Sequence, residues 1–241
     1  MIPNARLRSA IDNVYAAFED YPQPMQLDTS PLRDKAELKA IEVRPRGSLG
    51  TTDLCNYASW AMTTVGDVEQ YKYFLPRILE LATESGLIEP EVIALKLEYG
   101  AWRSWPPREK TAVEELFRRT FAQALMEHPD NFDAVSWFCG MAILGFDLGG
   151  LLRAWDATNN SAATLQLAQL IRTLAFPGKE ASERGYWESV PDDVEKELLN
   201  WLTSQHTRLR LRVAKGIANP SDIWILERAA EMLEQFNQRR G

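Results

Sequence analysis

Three helix starts recur at a near-constant interval and constrain the fold more than any other feature of this chain. Gly50-Thr51-Thr52-Asp53 opens one helical pattern, Glu89-Pro90-Glu91 a second and Pro129-Asp130-Asn131 a third. From Thr51 to Pro90 is 39 residues, and from Pro90 to Asn131 is 41. Each interval holds two antiparallel helices, the period of HEAT-type repeats. The spacing predicts an all-α chain of about ten helices, in stacked antiparallel pairs that wind into a HEAT-like right-handed α-α superhelix. Such a stack offers a binding surface rather than a reaction vessel.

The hydrophobic pattern fills in the elements. An amphipathic helix is expected over residues 4–20 and a short one over 31–41. The first repeat pairs 51–63 with 67–84, where Asp67 and Gln70 have capping-box spacing and Pro76 predicts a kink. The second pairs 90–100 with 107–127, and the third groups 131–144, 147–157 and 161–175. Residues 177–190 read as a longer connection before helices at 191–204 and 221–238. The chain is expected to be one all-helical domain over 1–241, with a cap region at 1–48, a repeat core at 49–176 and C-terminal helices at 177–241. One segment reads two ways. Thr207 to Val213 alternates like a half-buried strand, yet Leu202, His206, Leu209, Val213 and Ile217 fit helical spacing. With no second strand to pair with, helix is the expectation.

Composition narrows the chemistry. A net charge of −7 over 241 residues disfavours nucleic acid as an electrostatic partner and suits a basic protein surface. The apolar run from Trp137 to Phe146 is about half of what a membrane span needs, so it reads as a buried core helix and no membrane partner is expected. The first residues lead into no apolar segment of the secretory kind, which makes the cytoplasm the expected compartment. Two cysteines and two histidines in the whole chain leave few parts for a disulfide framework, a zinc site or a catalytic triad. No cofactor, metal or catalytic residue is expected.

Candidate sites are therefore binding sites. Gly145-Phe146-Asp147-Leu148-Gly149-Gly150 lacks the preceding strand and following lysine of a phosphate loop, and reads as a turn between helices. Glu80, Glu84 and Glu91 are expected on solvated helix faces. His128 and His206 stand without a partner at metal spacing. Trp102, Arg103 and Trp105 join two helices, and tryptophan and arginine are enriched at binding hot spots; burial of both rings is the competing expectation. A second cluster holds Glu183, Glu188, Asp192, Asp193, Glu195 and Glu197 against Arg184 and Lys196, a net −4. Tyr186 and Trp187 lie inside it, so aromatic anchors with an acidic rim face a basic partner there. Asp192 and Asp193 also favour a helix N-terminus. Arg208, Arg210, Arg212 and Lys215 are expected to balance that acidic patch internally.

The block from Leu54 to Glu80, with Asn56-Tyr57-Ala58, Ala61, Thr63 to Val68 and Phe74 to Glu80, resembles an uncharacterised family of bacterial helical proteins, most clearly through Trp105. The resemblance implies a bacterial cytosolic protein with no known activity, and it carries over no functional residue. The expectation is a non-enzymatic protein-interaction module, in its sharper form an acidic inhibitor or immunity protein that neutralises a basic toxin domain. The alternative is a small-molecule-binding or hydrolytic protein with a pocket between helices.

Overall fold

The computed structural model describes residues 2–31, 33, 35–174 and 185–238. Among them twelve α-helices form and no strand does. The chain divides into two compact units, Met1–Gln123 and Ala124–Gly241.

The first unit contains α1 (Ala5–Ala17), α2 (Lys35–Glu42), α3 (Thr51–Trp60), α4 (Val68–Glu84), α5 (Pro90–Tyr99) and α6 (Pro107–Ala124), less the last residue of α6. Its centre is α4, which packs against α1 and α3 and buries Phe74, Leu75, Ile78 and Leu79 completely. The predicted capping box is present: the Asp67 carboxylate accepts from the Gln70 N–H at 2.9 Å, and the Gln70 side chain accepts from the Asp67 N–H at 3.2 Å. The N-terminal segment is clasped by α6, since Gln123 accepts from the Asn4 N–H at 3.0 Å and donates to the Ile2 carbonyl at 2.7 Å.

Pro76 lies buried within α4, and the helix is continuous from Val68 to Glu84. A proline has no N–H to offer the Lys72 carbonyl four residues back. Arg46 braces the same turn: its Nη1 donates to the neighbouring Tyr73 carbonyl and to the Phe18 carbonyl, each at 3.0 Å. Its guanidinium also lies 5.2 Å from the Tyr73 ring centre and 5.4 Å from that of Tyr15. We expect Arg46→Ala to cost about 2 kcal/mol in chemical denaturation, the range for charged hydrogen bonds that water partly replaces. Arg46→Lys should recover less than half of that, because an ammonium lacks the planar guanidinium that lies near both the Tyr15 and Tyr73 rings. A cost within error of zero for the alanine variant would show that the staple is not needed.

The second unit contains α7 (Ala134–Ile143), α8 (Leu148–Ala157), α9 (Ser161–Thr173), α10 (Asp192–Leu202), α11 (Gln205–Lys215) and α12 (Ile223–Gln238). Its centre is α9, which packs against α7, α11 and α12. Gln166, fully buried on α9, accepts from the Ala134 N–H at 3.1 Å and donates to the carbonyls of Glu127 and Phe132 at 3.1 and 2.6 Å. One amide thus fixes the turn that leads into α7. Gly145 turns the chain between α7 and α8 with φ of +71°, a conformation that costs glycine least.

Several expectations need correction. The third helix start falls at Ala134, capped by Asp133 onto the Val135 N–H at 2.8 Å, because residues 129–132 are held in a turn by the His128 carbonyl and by Gln166. The second interval is therefore 44 residues rather than 41, counted from Pro90 to Ala134. The alternating segment is helical as expected, forming α11. Glu91 is buried rather than solvated, and Lys96 on the same helix is buried with it. Glu80 is half-buried, accepting from the Tyr15 hydroxyl and from Arg77, both at 2.6 Å. Cys55 is partly exposed, whereas Cys139 is buried.

Candidate binding groove in the second unit

A cavity of about 800 Å³ lies entirely within the second unit. Its walls are the turn from α8 to α9, the first turn of α9, one side of α11 and the turn from α11 to α12.

Local folding builds the first wall around Arg210, whose side chain is 8% exposed. Helix α8 ends with carbonyls that have no partner within the helix. Arg210 donates to two of them, at Trp155 (3.2 Å) and Thr158 (2.7 Å), and to the Thr164 hydroxyl at 2.9 Å. Asp156 Oδ1 lies 3.8 Å from the guanidinium and 3.5 Å from His206 Nε2, and Oδ2 accepts from the Trp201 indole at 2.9 Å. Burial pulls the Arg210 guanidinium below its ordinary pKa and Asp156 opposes that pull. Asn160 caps α9 by accepting from the Ala163 N–H at 2.6 Å.

At the far end stands His128. Its Nδ1 accepts from the Asp130 N–H at 3.2 Å, and its Nε2 lies 3.4 Å from Asp222 Oδ1. Both histidines of the chain therefore line one groove, each beside an aspartate. Among the described residues neither imidazole is hydrogen-bonded to a hydroxyl or thiol, and the Thr164 hydroxyl is already committed to the Asn160 carbonyl and Arg210. Nor does any group of three or more His, Cys, Asp or Glu stand ready for a metal among them.

Between the two ends the groove is apolar. Leu165 and Leu226 are buried beneath it, while Leu209, Val213 and Ile217 are 54%, 57% and 79% exposed. These three recur every fourth residue, so they share one face of α11 and the turn after it. Beyond His128 and Asp222 the surface continues to Trp224, also exposed, with the Arg172 guanidinium 4.6 Å from its ring centre.

The residues singled out from sequence lie elsewhere. Trp102 and Trp105 are buried, with indole N–H groups donating to Glu98 Oε1 at 2.7 Å and the Gly100 carbonyl at 2.8 Å. Arg103 is exposed and pairs with Glu98 at 3.0 Å. Trp187 is buried, 6.1 Å from the Phe138 ring, and Tyr186 is half-buried. Glu188, Asp192 and Asp193 are exposed, the last two in the first turn of α10. Glu183 lies outside the described residues, as does the part of the expected connection over 177–184. Among the described residues two members of the basic cluster pair outside the acidic patch: Arg210 faces Asp156, and Lys215 pairs with Glu227 at 2.7 Å.

Sequence reasoning placed His128 and His206 as lone residues; tertiary packing brings Asp222 to His128 and Asp156 to His206, and Asp130 lies 3.5 Å from His128 Nδ1. The one signal for the groove was the four-residue recurrence of Leu209, Val213 and Ile217. No helix among the described residues is long and apolar enough to cross a membrane. Comparison with known families, curated proteins and solved structures finds no match, so of the resemblance named above only the all-helical character has support.

Proposed function

We propose that the protein is a non-enzymatic protein-interaction module and that the groove of the second unit receives its partner. One observation carries this reading. An apolar stripe that a helix ordinarily packs inward stands exposed at Leu209, Val213 and Ile217, along a cavity of about 800 Å³. Exposed apolar patches rimmed by polar groups mark interaction surfaces. HEAT-like stacking belongs to the same proposal on the strength of the helix spacing, and a cytoplasmic location on that of the free thiols at Cys55 and Cys139; a bacterial source rests on the resemblance alone.

The test is quantitative affinity capture with the wild type and with Val213→Ser/Ile217→Ser. Both side chains are exposed, so the variant should keep its thermal midpoint within about 2 °C. A partner held stoichiometrically by the wild type should be lost by the variant. Identical capture by both proteins would sink the groove as the interaction surface. A second reading, an acidic inhibitor holding a basic partner, is favoured by exposed Glu188, Asp192 and Asp193 at the start of α10. A partner bound that way would instead be lost on Asp192→Lys/Asp193→Lys.

A further inference from the structure

Among its described residues the first unit buries two lysines, Lys72 and Lys96, and neutralises only one of them. A buried ammonium is costly unless a counter-charge stands beside it. Lys72 has one, Glu109 Oε2 at 2.9 Å. Lys96, 8% exposed, has none. Its Nζ donates to the Thr63 hydroxyl at 3.0 Å and to no other described residue, which uses one of its three N–H groups. The charge that acts on it is a second cation, Arg33, and burial together with that cation lowers its pKa.

The turn after α3 brings the two cations together. Met62 stands in the left-handed region with φ of +62°, a conformation that costs a side chain of this size and persists only where its surroundings enforce it. The amides of Thr63, Thr64 and Val65 then all donate to the Trp60 carbonyl, at 3.2, 3.0 and 3.2 Å. So tight a turn presents two consecutive hydroxyls. Thr63 accepts from Lys96 on α5, and Thr64 accepts from Arg33 Nε at 2.9 Å. The Arg33 guanidinium lies 4.5 Å from the Trp60 ring centre, and the Ser30 N–H ties the preceding segment to the Thr64 carbonyl at 2.9 Å. Among the described residues no carboxylate is within ion-pair distance of either cation, and the two terminal guanidinium nitrogens of Arg33 have no hydrogen-bond partner.

We propose that Lys96 and Arg33 form a binding site for a terminal phosphoryl group, a compact dianion that neutralises both cations, with the Thr63 and Thr64 hydroxyls beside it. Charge selects this ligand. A phosphomonoester carries about −1.5 to −2 near pH 7 and so matches two cations, whereas a carboxylate would neutralise only one. A nucleic-acid strand fits worse, because its affinity comes from many neutralised phosphates and the chain's net −7 repels it. The site shares no residue with the groove of the second unit.

The probe is inorganic phosphate, titrated into the full chain at constant ionic strength and about pH 8, where a phosphoryl group is chiefly dianionic. Isothermal titration calorimetry should show one site. Lys96→Met and Arg33→Met should each weaken it at least about tenfold, the loss of one charged hydrogen bond. In phosphate-free buffer Lys96→Met should have the higher thermal midpoint, because it removes a buried charge that lacks a counter-charge. Added phosphate should narrow that gap by stabilising the wild type alone through binding. Arg33 is only half-buried, so Arg33→Met decides the matter should Lys96→Met fail to fold.

Flotation with phosphatidic-acid vesicles but not with phosphatidylcholine vesicles, lost in both variants, would support the site and assign its phosphoryl group to a lipid rather than a free solute. Phosphate binding that both variants retain would overturn the inference, since the ion would then be seated elsewhere. So would the absence of binding to phosphate and to either kind of vesicle.

Discussion

Glu109→Ala is expected to cost about 3–5 kcal/mol of stability, because it strands a buried cation. Lys72 on α4 and Glu109 on α6 have side chains only 5% and 6% exposed, with Nζ and Oε2 at 2.9 Å. Tyr21 closes the cluster, donating to Glu109 Oε1 at 2.6 Å and accepting from Lys72 at 2.9 Å. The ammonium also stands 4.4 Å from the Trp105 ring centre and 5.0 Å from that of Tyr21. Burial works against the charged lysine, but Tyr21 and Glu109 outweigh it and hold its pKa above the ordinary value. Without Glu109 the charge keeps only the hydroxyl and the two rings. Against a typical total of about 5–15 kcal/mol, such a loss comes near to unfolding the first unit.

Glu109→Gln should cost less, since an amide oxygen still accepts from Tyr21. Lys72→Met/Glu109→Leu should fall far short of the sum of its single costs, because replacing a whole buried pair avoids the stranded charge. Urea denaturation of the four proteins forms a double-mutant cycle that decides the matter. A cost under about 1 kcal/mol for Glu109→Ala would mean that water reaches Lys72 and the pair is not dry.

That cluster was invisible in the sequence, and the reason is instructive. Lys72 and Glu109 are 37 positions apart and sit on different helices, and no local spacing connects them. Local rules did locate helices. Asp67 and Gln70 announced the start of α4, Pro90 announced α5, and the run from Trp137 predicted the buried α7. Such signals depend on residues within a turn or two of each other, and so survive without tertiary knowledge.

Periodicity was less informative about which face a helix hides. Leu209, Val213 and Ile217 share a face, as their spacing required, yet Thr207 and Leu211 are the residues α11 buries. Spacing says which side chains stand together, whereas burial depends on whether another element covers them. The same limit applies to Arg210, which by composition matches Arg208 and Arg212 but alone turns inward to cap α8. Trp102 and Trp105 were candidates for the surface because turns are exposed. Their indoles fold back onto α5 and the turn that follows it, a choice made by packing.

Alkaline unfolding is the second large effect, and its direction follows from five groups in the first unit. The pKa values of Tyr15, Tyr21, Tyr57 and Tyr71 are all raised above 10.0, and that of Lys72 is raised above 10.5. Desolvation is the leading cause for every tyrosine, joined by Glu80 at Tyr15 and by Glu109 at Tyr21. The folded chain therefore keeps protons that the unfolded chain releases. Stability from these groups is complete below the unfolded values, near pH 10, and is lost as pH climbs toward the folded ones. Each group contributes a slope of up to about 1.4 kcal/mol per pH unit in that window.

Lys96 acts in the opposite sense. Burial first, and then Arg33, lowers its pKa below 10.5, so its charged form is a burden at neutral pH that eases as pH rises. One group does not offset five. Urea denaturation in steps from about pH 8 to 11.5 should give a plateau and then a steep fall above about pH 10. Ionisation of Tyr15, Tyr21, Tyr57 and Tyr71 should accompany unfolding rather than precede it. Tyr71 offers the sharpest check, since its hydroxyl is fully buried and no described residue hydrogen-bonds to it. Tyr71→Phe should leave stability at neutral pH unchanged or up to about 1 kcal/mol higher. It should also flatten the alkaline slope by about 1.4 kcal/mol per pH unit. An unaltered slope would mean that Tyr71 ionises in the folded protein as readily as in the unfolded chain, contrary to the sealed environment that α4 provides.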